Sequence, residues 1–127
     1  MLTSGVDMIE IARLERSVAR HGQRFLDRVF TPQEQVYCAG QSASLAGRFA
    51  VKEAVAKALG TGIGDVGWKD IEVVGAQNGR PTLVLHRQAR QLAEQLGLDE
   101  WSISISHTDK LAVALAVAVG RQRRQEE

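Results

Sequence analysis

One cysteine, Cys38, stands in 127 residues. An internal disulfide is therefore excluded, and no zinc-ligand spacing exists. No apolar run approaches the roughly 18 residues of a membrane span. The N-terminus lacks a basic n-region and an apolar h-region, so no signal peptide is expected and the cytoplasm is the expected location. Opposite charges nearly cancel, 16 Lys and Arg against 15 Asp and Glu, for a net +1. That balance speaks against a general polyanion binder, although local basic patches remain allowed. No internal repeat is present. The length predicts one domain with a modest core over residues 1–120. The last seven residues, RQRRQEE, contain nothing apolar and are expected to fray as a polar tail, 121–127.

Several catalytic signatures are missing as well. Gly60-Thr61-Gly62-Ile63-Gly64 is not a Walker A loop, because no Lys-Ser/Thr follows it. Asp7 does not begin an Asp-x-Asp phosphatase motif, because position 9 is isoleucine. Neither a Gly-x-Ser-x-Gly elbow nor a Cys/His nucleophile arrangement is found. The chain offers no covalent nucleophile of its own.

What is there reads as alternating strands and helices. Met1–Val6 predicts a short strand that ends at Asp7, where a turn former or a ligand-binding group is expected. Ile11, Leu14 and Val18 give Ile9–Arg20 the spacing of an amphipathic helix. Thr31-Pro32-Gln33-Glu34 predicts a capped helix start, with a helix running to about Cys38. Cys38 is expected to pack as a small hydrophobe. Ile71–Val74 and Thr82–Leu85 flank Asn78-Gly79, a hairpin signal. Arg87–Leu96 predicts a helix ended by Gly97. Trp101–Ser106 and Leu111–Val119 both alternate, which predicts a second hairpin. On the latter strand Ala112, Ala114, Ala116 and Ala118 form one side, narrow enough for a helix or a neighbouring subunit to approach. The order predicts an α+β class with a mainly antiparallel sheet.

The stretch Gly47–Gly64 organises the rest. Alanine is frequent in it and no proline interrupts, which favours helix, and Gly60 is placed to end that helix. Leu45, Phe49, Val51, Ala54, Val55, Ala58 and Leu59 cover most of its circumference, so burial is expected. Glu53 and Lys57 share a narrow face with Ala46 and Ala50. Read alone, they form an i,i+4 pair on a solvated strip.

Asp7, Glu53, Lys57 and His107 together suit Mg²⁺-assisted phosphate chemistry. Magnesium takes one or two carboxylates plus substrate oxygens and water. Lysine and imidazole both serve phosphate oxygens, and a glycine-rich exit lets backbone N–H groups approach an anion. Taken singly, His107 reads as a turn histidine. Arg13, Arg16, Arg20, Arg24 and Arg28 read as a solubilising face, or as a dock for an acidic partner with Phe25 as anchor.

Four blocks carry a resemblance: Gly5-Val6-Asp7; Arg48-Phe49-Ala50-Val51-Lys52-Glu53-Ala54 with Lys57-Ala58-Leu59-Gly60-Thr61-Gly62; Asn78-Gly79-Arg80-Pro81; and Ser104-Ile105-Ser106-His107-Thr108. In this order and spacing the chain resembles the holo-[acyl-carrier-protein] synthases, the short branch of the 4′-phosphopantetheinyl transferases. One departure is Thr3, where the family usually has a glycine four residues before the aspartate.

The resemblance implies transfer of 4′-phosphopantetheine from coenzyme A to a serine of apo acyl carrier protein, with release of adenosine 3′,5′-bisphosphate, in support of fatty acid biosynthesis. It implies Asp7 and Glu53 as Mg²⁺ ligands, Lys57 on phosphate, and His107 on the coenzyme's phosphates. Gly60, Thr61, Gly62, Gly64, Asn78, Gly79, Arg80, Pro81 and Thr108 would line the nucleotide site. Arg13, Arg24, Phe25 and Arg28 fall where the family docks the acidic carrier protein. The general base stays open between a metal-bound water and Glu53. A homotrimer with active sites between subunits is implied, and the alanine side of Leu111–Val119 is a candidate for that packing. No nucleic-acid or membrane partner is expected. The competing reading is a non-catalytic α+β interaction module, in which Glu53–Lys57 is only a helix pair.

Overall fold

A computed structural model of the chain describes residues 1–75 and 79–120. Asn78 and the tail 121–127 lie outside them. Strand β1 (Leu2–Glu10) leads into helices α1 (Ile11–His21), α2 (Gln23–Val29), α3 (Pro32–Cys38) and α4 (Ser42–Ala58). A hairpin of β2 (Ile71–Gly75) and β3 (Pro81–Leu85) follows, then α5 (Arg87–Leu96), β4 (Glu100–His107) and β5 (Leu111–Val119). The class is α+β, and every strand pair is antiparallel. The strands form two sheets, β1-β5-β4 and β2-β3.

Helix α4 lies across one face of the three-stranded sheet, and the sequence explains how closely. Ala112, Ala114, Ala116 and Ala118 of β5 all face it and are at most 1% exposed. Beside them on β1 is Gly5, where an added Cβ would lie 1.9 Å from the Ala54 carbonyl oxygen. Only glycine lets the helix rest on the strand backbone there. The alanine side is thus filled by the chain's own helix and cannot serve packing between subunits. The opposite face is the open one, with Val6 56%, Met8 62% and Leu115 44% exposed.

Strand β1 also runs farther than expected. It continues past Asp7 to Glu10 because nine-residue β5 offers a partner at each position, from Leu2↔Val119 to Glu10↔Leu111. Asp7 is therefore an interior strand residue, on the face that carries Gly5 and Ile9. At the other end, the Thr3 hydroxyl donates to the Ala58 carbonyl at 2.8 Å. It satisfies an orphan acceptor in the last turn of α4, a bond that glycine at this position would forgo.

The local signals at α3 and after α4 hold. Thr31 and Glu34 form the reciprocal capping box. Gly60 follows α4 at φ 77°, the left-handed conformation that glycine adopts cheaply. Cys38 is buried in the core, and burial pushes its thiol pKa up.

Candidate active site

Helix α4 carries Glu53 past β1, and a pocket of about 290 Å³ opens between them and α1. Asp7, Glu53 and Arg13 line it together with Phe25 and Phe49. Asp7 arrives from the strand, Glu53 from the helix, Arg13 from α1. The Glu53 carboxyl is pushed above the usual carboxylate range by burial first and by the Asp7 charge second; Lys57 and Arg13 oppose the shift. A carboxyl whose proton affinity is raised beside a second carboxylate is a ready receiver for a cation.

Lys57 does not pair with Glu53 in the manner of an exposed helix pair. Its ammonium donates to Asp7 Oδ1 at 3.0 Å and to the Val6 carbonyl at 3.0 Å. The flanking Ala46 and Ala50 are fully buried, Glu53 is half-buried and Lys57 is exposed, so the strip is covered at its start and open to solvent at its end.

His107 is elsewhere. It ends β4 opposite Ala112, whereas Asp7 lies opposite Ala114 on the far side of β5. Two inter-strand spacings and two residues along the strand separate them, on the order of 12 Å. Helix α4 runs between, with Gly47 against Ile105 of β4 and Ala54 against Gly5 of β1. His107 lines a larger pocket, about 720 Å³, together with Gly79, Arg80 and Pro81 from the hairpin tip and Ser44 and Gly47 from α4. Neither pocket includes Gly60, Thr61, Gly62 or Gly64. Thr108 is absent from both pockets too. Its hydroxyl accepts from the Lys110 and Leu111 N–H groups and so shapes the β4–β5 turn.

Arg48, which carries no role in the family resemblance described above, marks the larger pocket. It is 6% exposed, with its guanidinium 4.1 Å above the Tyr37 ring and Nη1 donating to Ser44 at 3.2 Å. Its buried Nε has no hydrogen-bond partner among the described residues. A cation on a helix that is otherwise apolar nearly all round was the available signal. Lys52, on the same helix, carried the same signal.

Of the basic residues expected at a docking face, Arg13 turns into the carboxylate pocket. Arg24 and Arg28 are exposed. Phe25 is half-buried, edge-on to Phe30 at 6.4 Å, with part of its surface on the carboxylate pocket.

Residues 4–116 match the 4′-phosphopantetheinyl transferase superfamily, and the chain belongs to it. Within it the chain groups with the holo-[acyl-carrier-protein] synthases, which are enzymes. It is 54% identical to that synthase from Moorella thermoacetica over 92% of this chain and 93% of the relative. The identity to the Herpetosiphon aurantiacus synthase is 46%, over 94% and 100%. Among solved structures, the Helicobacter pylori synthase in complex with coenzyme A superposes with a TM-score of 0.84 at 36% identity, over 91% of this chain and 99% of that one. The Neisseria meningitidis synthase gives 0.84 at 34%, over 92% and 97%.

Proposed function

We propose that this chain transfers 4′-phosphopantetheine from coenzyme A to a serine of apo acyl carrier protein, in the cytoplasm and for fatty acid biosynthesis, with residues 1–120 as the catalytic unit. The serine oxygen forms a bond to the phosphorus that bears pantetheine. The bridging P–O bond breaks, adenosine 3′,5′-bisphosphate leaves, and the serine proton passes to a base. The observation that carries the reading is the Asp7–Glu53 pocket with Lys57 at its edge. It supplies charge for a phosphate centre, and the nucleophile belongs to the partner.

The pocket suits Mg²⁺. Two carboxylates from different elements line one pocket, and Glu53 is held above its usual range by burial first and by the Asp7 charge second, a cost that a bound cation would relieve. Among the described residues no group of three or more His, Cys, Asp or Glu forms a metal-binding cluster. An ion held by two carboxylates would keep water and substrate oxygens in the rest of its coordination shell. Asp7 and Glu53 would hold it, and when bound it supplies neutralisation of the transferring phosphoryl group. Lys57 orients phosphate oxygens from the pocket edge. His107, Arg48 and Arg80 hold the coenzyme's other phosphates in the larger pocket. Arg24 and Arg28 attract the acidic carrier.

In one chain the carboxylates and His107 stand on opposite sides of α4. A homotrimer joined through the exposed face of β1 and β5 would let adjacent copies supply the two halves of each site. Val6, Met8, Leu111, Leu115 and Val119 form an apolar surface of the kind that soluble monomers rarely expose. Among the described residues no helix is long and apolar enough to cross a membrane.

The test is to incubate the protein with apo carrier protein, coenzyme A and Mg²⁺ and to weigh the carrier. A mass gain of one phosphopantetheine that disappears with EDTA and in Glu53→Gln supports the reading. No gain across carriers and metal concentrations rejects it.

A further inference from the structure

Lys52 is buried completely, and so is its partner Glu34, at 2.8 Å. The ammonium spends all three protons: on Glu34 Oε1, on the Trp68 carbonyl and on the Ile71 carbonyl. Glu34 is equally engaged. Oε1 also accepts from the Thr31 N–H, and Oε2 from the Val73 N–H, at 2.9 and 3.0 Å. A buried ion pair adds little net stability over an apolar pair of the same volume, so stability alone is a weak reason for it.

Its position suggests another role. Among the described residues the β2–β3 hairpin forms a sheet of its own, so no ladder with the three-stranded sheet fixes its place. Yet its tip, Gly79-Arg80-Pro81, forms one wall of the larger pocket, while His107 and β4 form the other and α4 the floor. Glu34 grips the backbone of β2 and the start of α3, and Lys52 grips Glu34 and β2 from α4. One turn earlier on the same face, Arg48 clasps Tyr37 of α3, and Tyr37 packs on Gly75, the last residue of β2.

We propose that Lys52 and Glu34 are positioning residues that set the separation between the hairpin-tip wall and the α4 floor, and thereby the affinity for the nucleotide end of coenzyme A. This rests on the assignment of the larger pocket to the coenzyme. The pair touches neither pocket and acts through β2 and α3. The carboxylate pocket, held by the backbone contact of α4 with β1, is independent of it.

The test uses Glu34→Gln/Lys52→Met, which removes both charges together so that neither is left buried alone, and Glu34→Asp, which keeps the charges and shortens the arm by one methylene. Each purified variant is checked for a cooperative melt and native near-ultraviolet circular dichroism. Calorimetry then measures adenosine 3′,5′-bisphosphate, and electron paramagnetic resonance measures Mn²⁺. The expected result is a Kd for the nucleotide raised about tenfold or more in the double variant and less in Glu34→Asp, with Mn²⁺ affinity unchanged within about twofold. Should the double variant not fold, Glu34→Asp alone decides by the same ratio. Unchanged nucleotide affinity in a folded variant, or equal loss of nucleotide and Mn²⁺, overturns the proposal. A wild-type chain that binds no nucleotide would instead reject the coenzyme assignment.

Discussion

Lys57 donates to Asp7 at 3.0 Å across fifty positions of sequence, although Glu53 stands one turn away on its own helix. The choice joins the strand and the helix at the charged end of the site. The Lys57 side chain is 53% exposed, so the pair is worth less than about 1 kcal/mol of stability. In the proposed reaction its effect on a phosphoryl group is expected to be far larger. Lys57→Met is expected to lower kcat/KM about 100-fold while moving the urea midpoint little, as steady-state kinetics and denaturation will read. A parallel collapse of stability would contradict this division.

Glu53 fixes a pH dependence. Its folded pKa lies above the unfolded value near 4.5, so the folded state binds the proton more tightly. Its favourable contribution is fully present below that value and is lost as pH rises through the folded pKa. In EDTA, Glu53→Gln is therefore expected to melt slightly higher than wild type at pH 7, on the order of 2 °C, and to show no gain at pH 4. Calorimetric scans across that range check the sign.

Gly5→Ala tests the contact between strand and helix. The new methyl would overlap the Ala54 carbonyl, which is backbone and cannot swing aside. A loss of about 3 kcal/mol or more is expected in equilibrium unfolding, beyond ordinary overpacking.

Arg24→Glu should raise the KM for carrier protein about tenfold and leave that for coenzyme A within about twofold. Arg13→Glu will not separate the two so cleanly, because Arg13 lines the carboxylate pocket and opposes the rise in the Glu53 pKa. Matched increases in both KM values for Arg24→Glu would remove it from the docking face.

Leu115→Asp places a charge at the middle of the exposed apolar sheet face. Light scattering on the wild type is expected to give three times the 13.9 kDa chain mass, and the variant a monomer with transfer activity reduced at least about tenfold. A wild-type monomer would remove the trimer.

Much of this was legible in the sequence. The Thr31–Glu34 capping box, the Gly60 stop and the alternation of Leu111–Val119 are local rules, and local rules survive folding. Asp7, Glu53 and Lys57 were named from residue type and order. What could not be read was direction. The alanine row admitted a helix or a subunit equally, and only the approach of Ala54 to Gly5 decides for the helix. The extent of β1 depended on its partner β5, one hundred residues away. Glu34 was legible as a cap, but its second oxygen and its bond to Lys52 are tertiary. Arg48 stands out in the sequence as a cation on a helix apolar nearly all round, but its stacking on Tyr37 and its place in the larger pocket are tertiary.

The bare contact between Gly5 and Ala54 has a consequence for heat. Most spacings in a protein are set by side chains, which act as cushions and yield as rotamers loosen. Here backbone meets backbone, and the seam behaves as a hard stop. The backbone spacing beneath Asp7 and Glu53 is then expected to change little on warming until the whole sheet gives way, and affinity for a metal at the proposed site to hold nearly level and fail abruptly instead of fading.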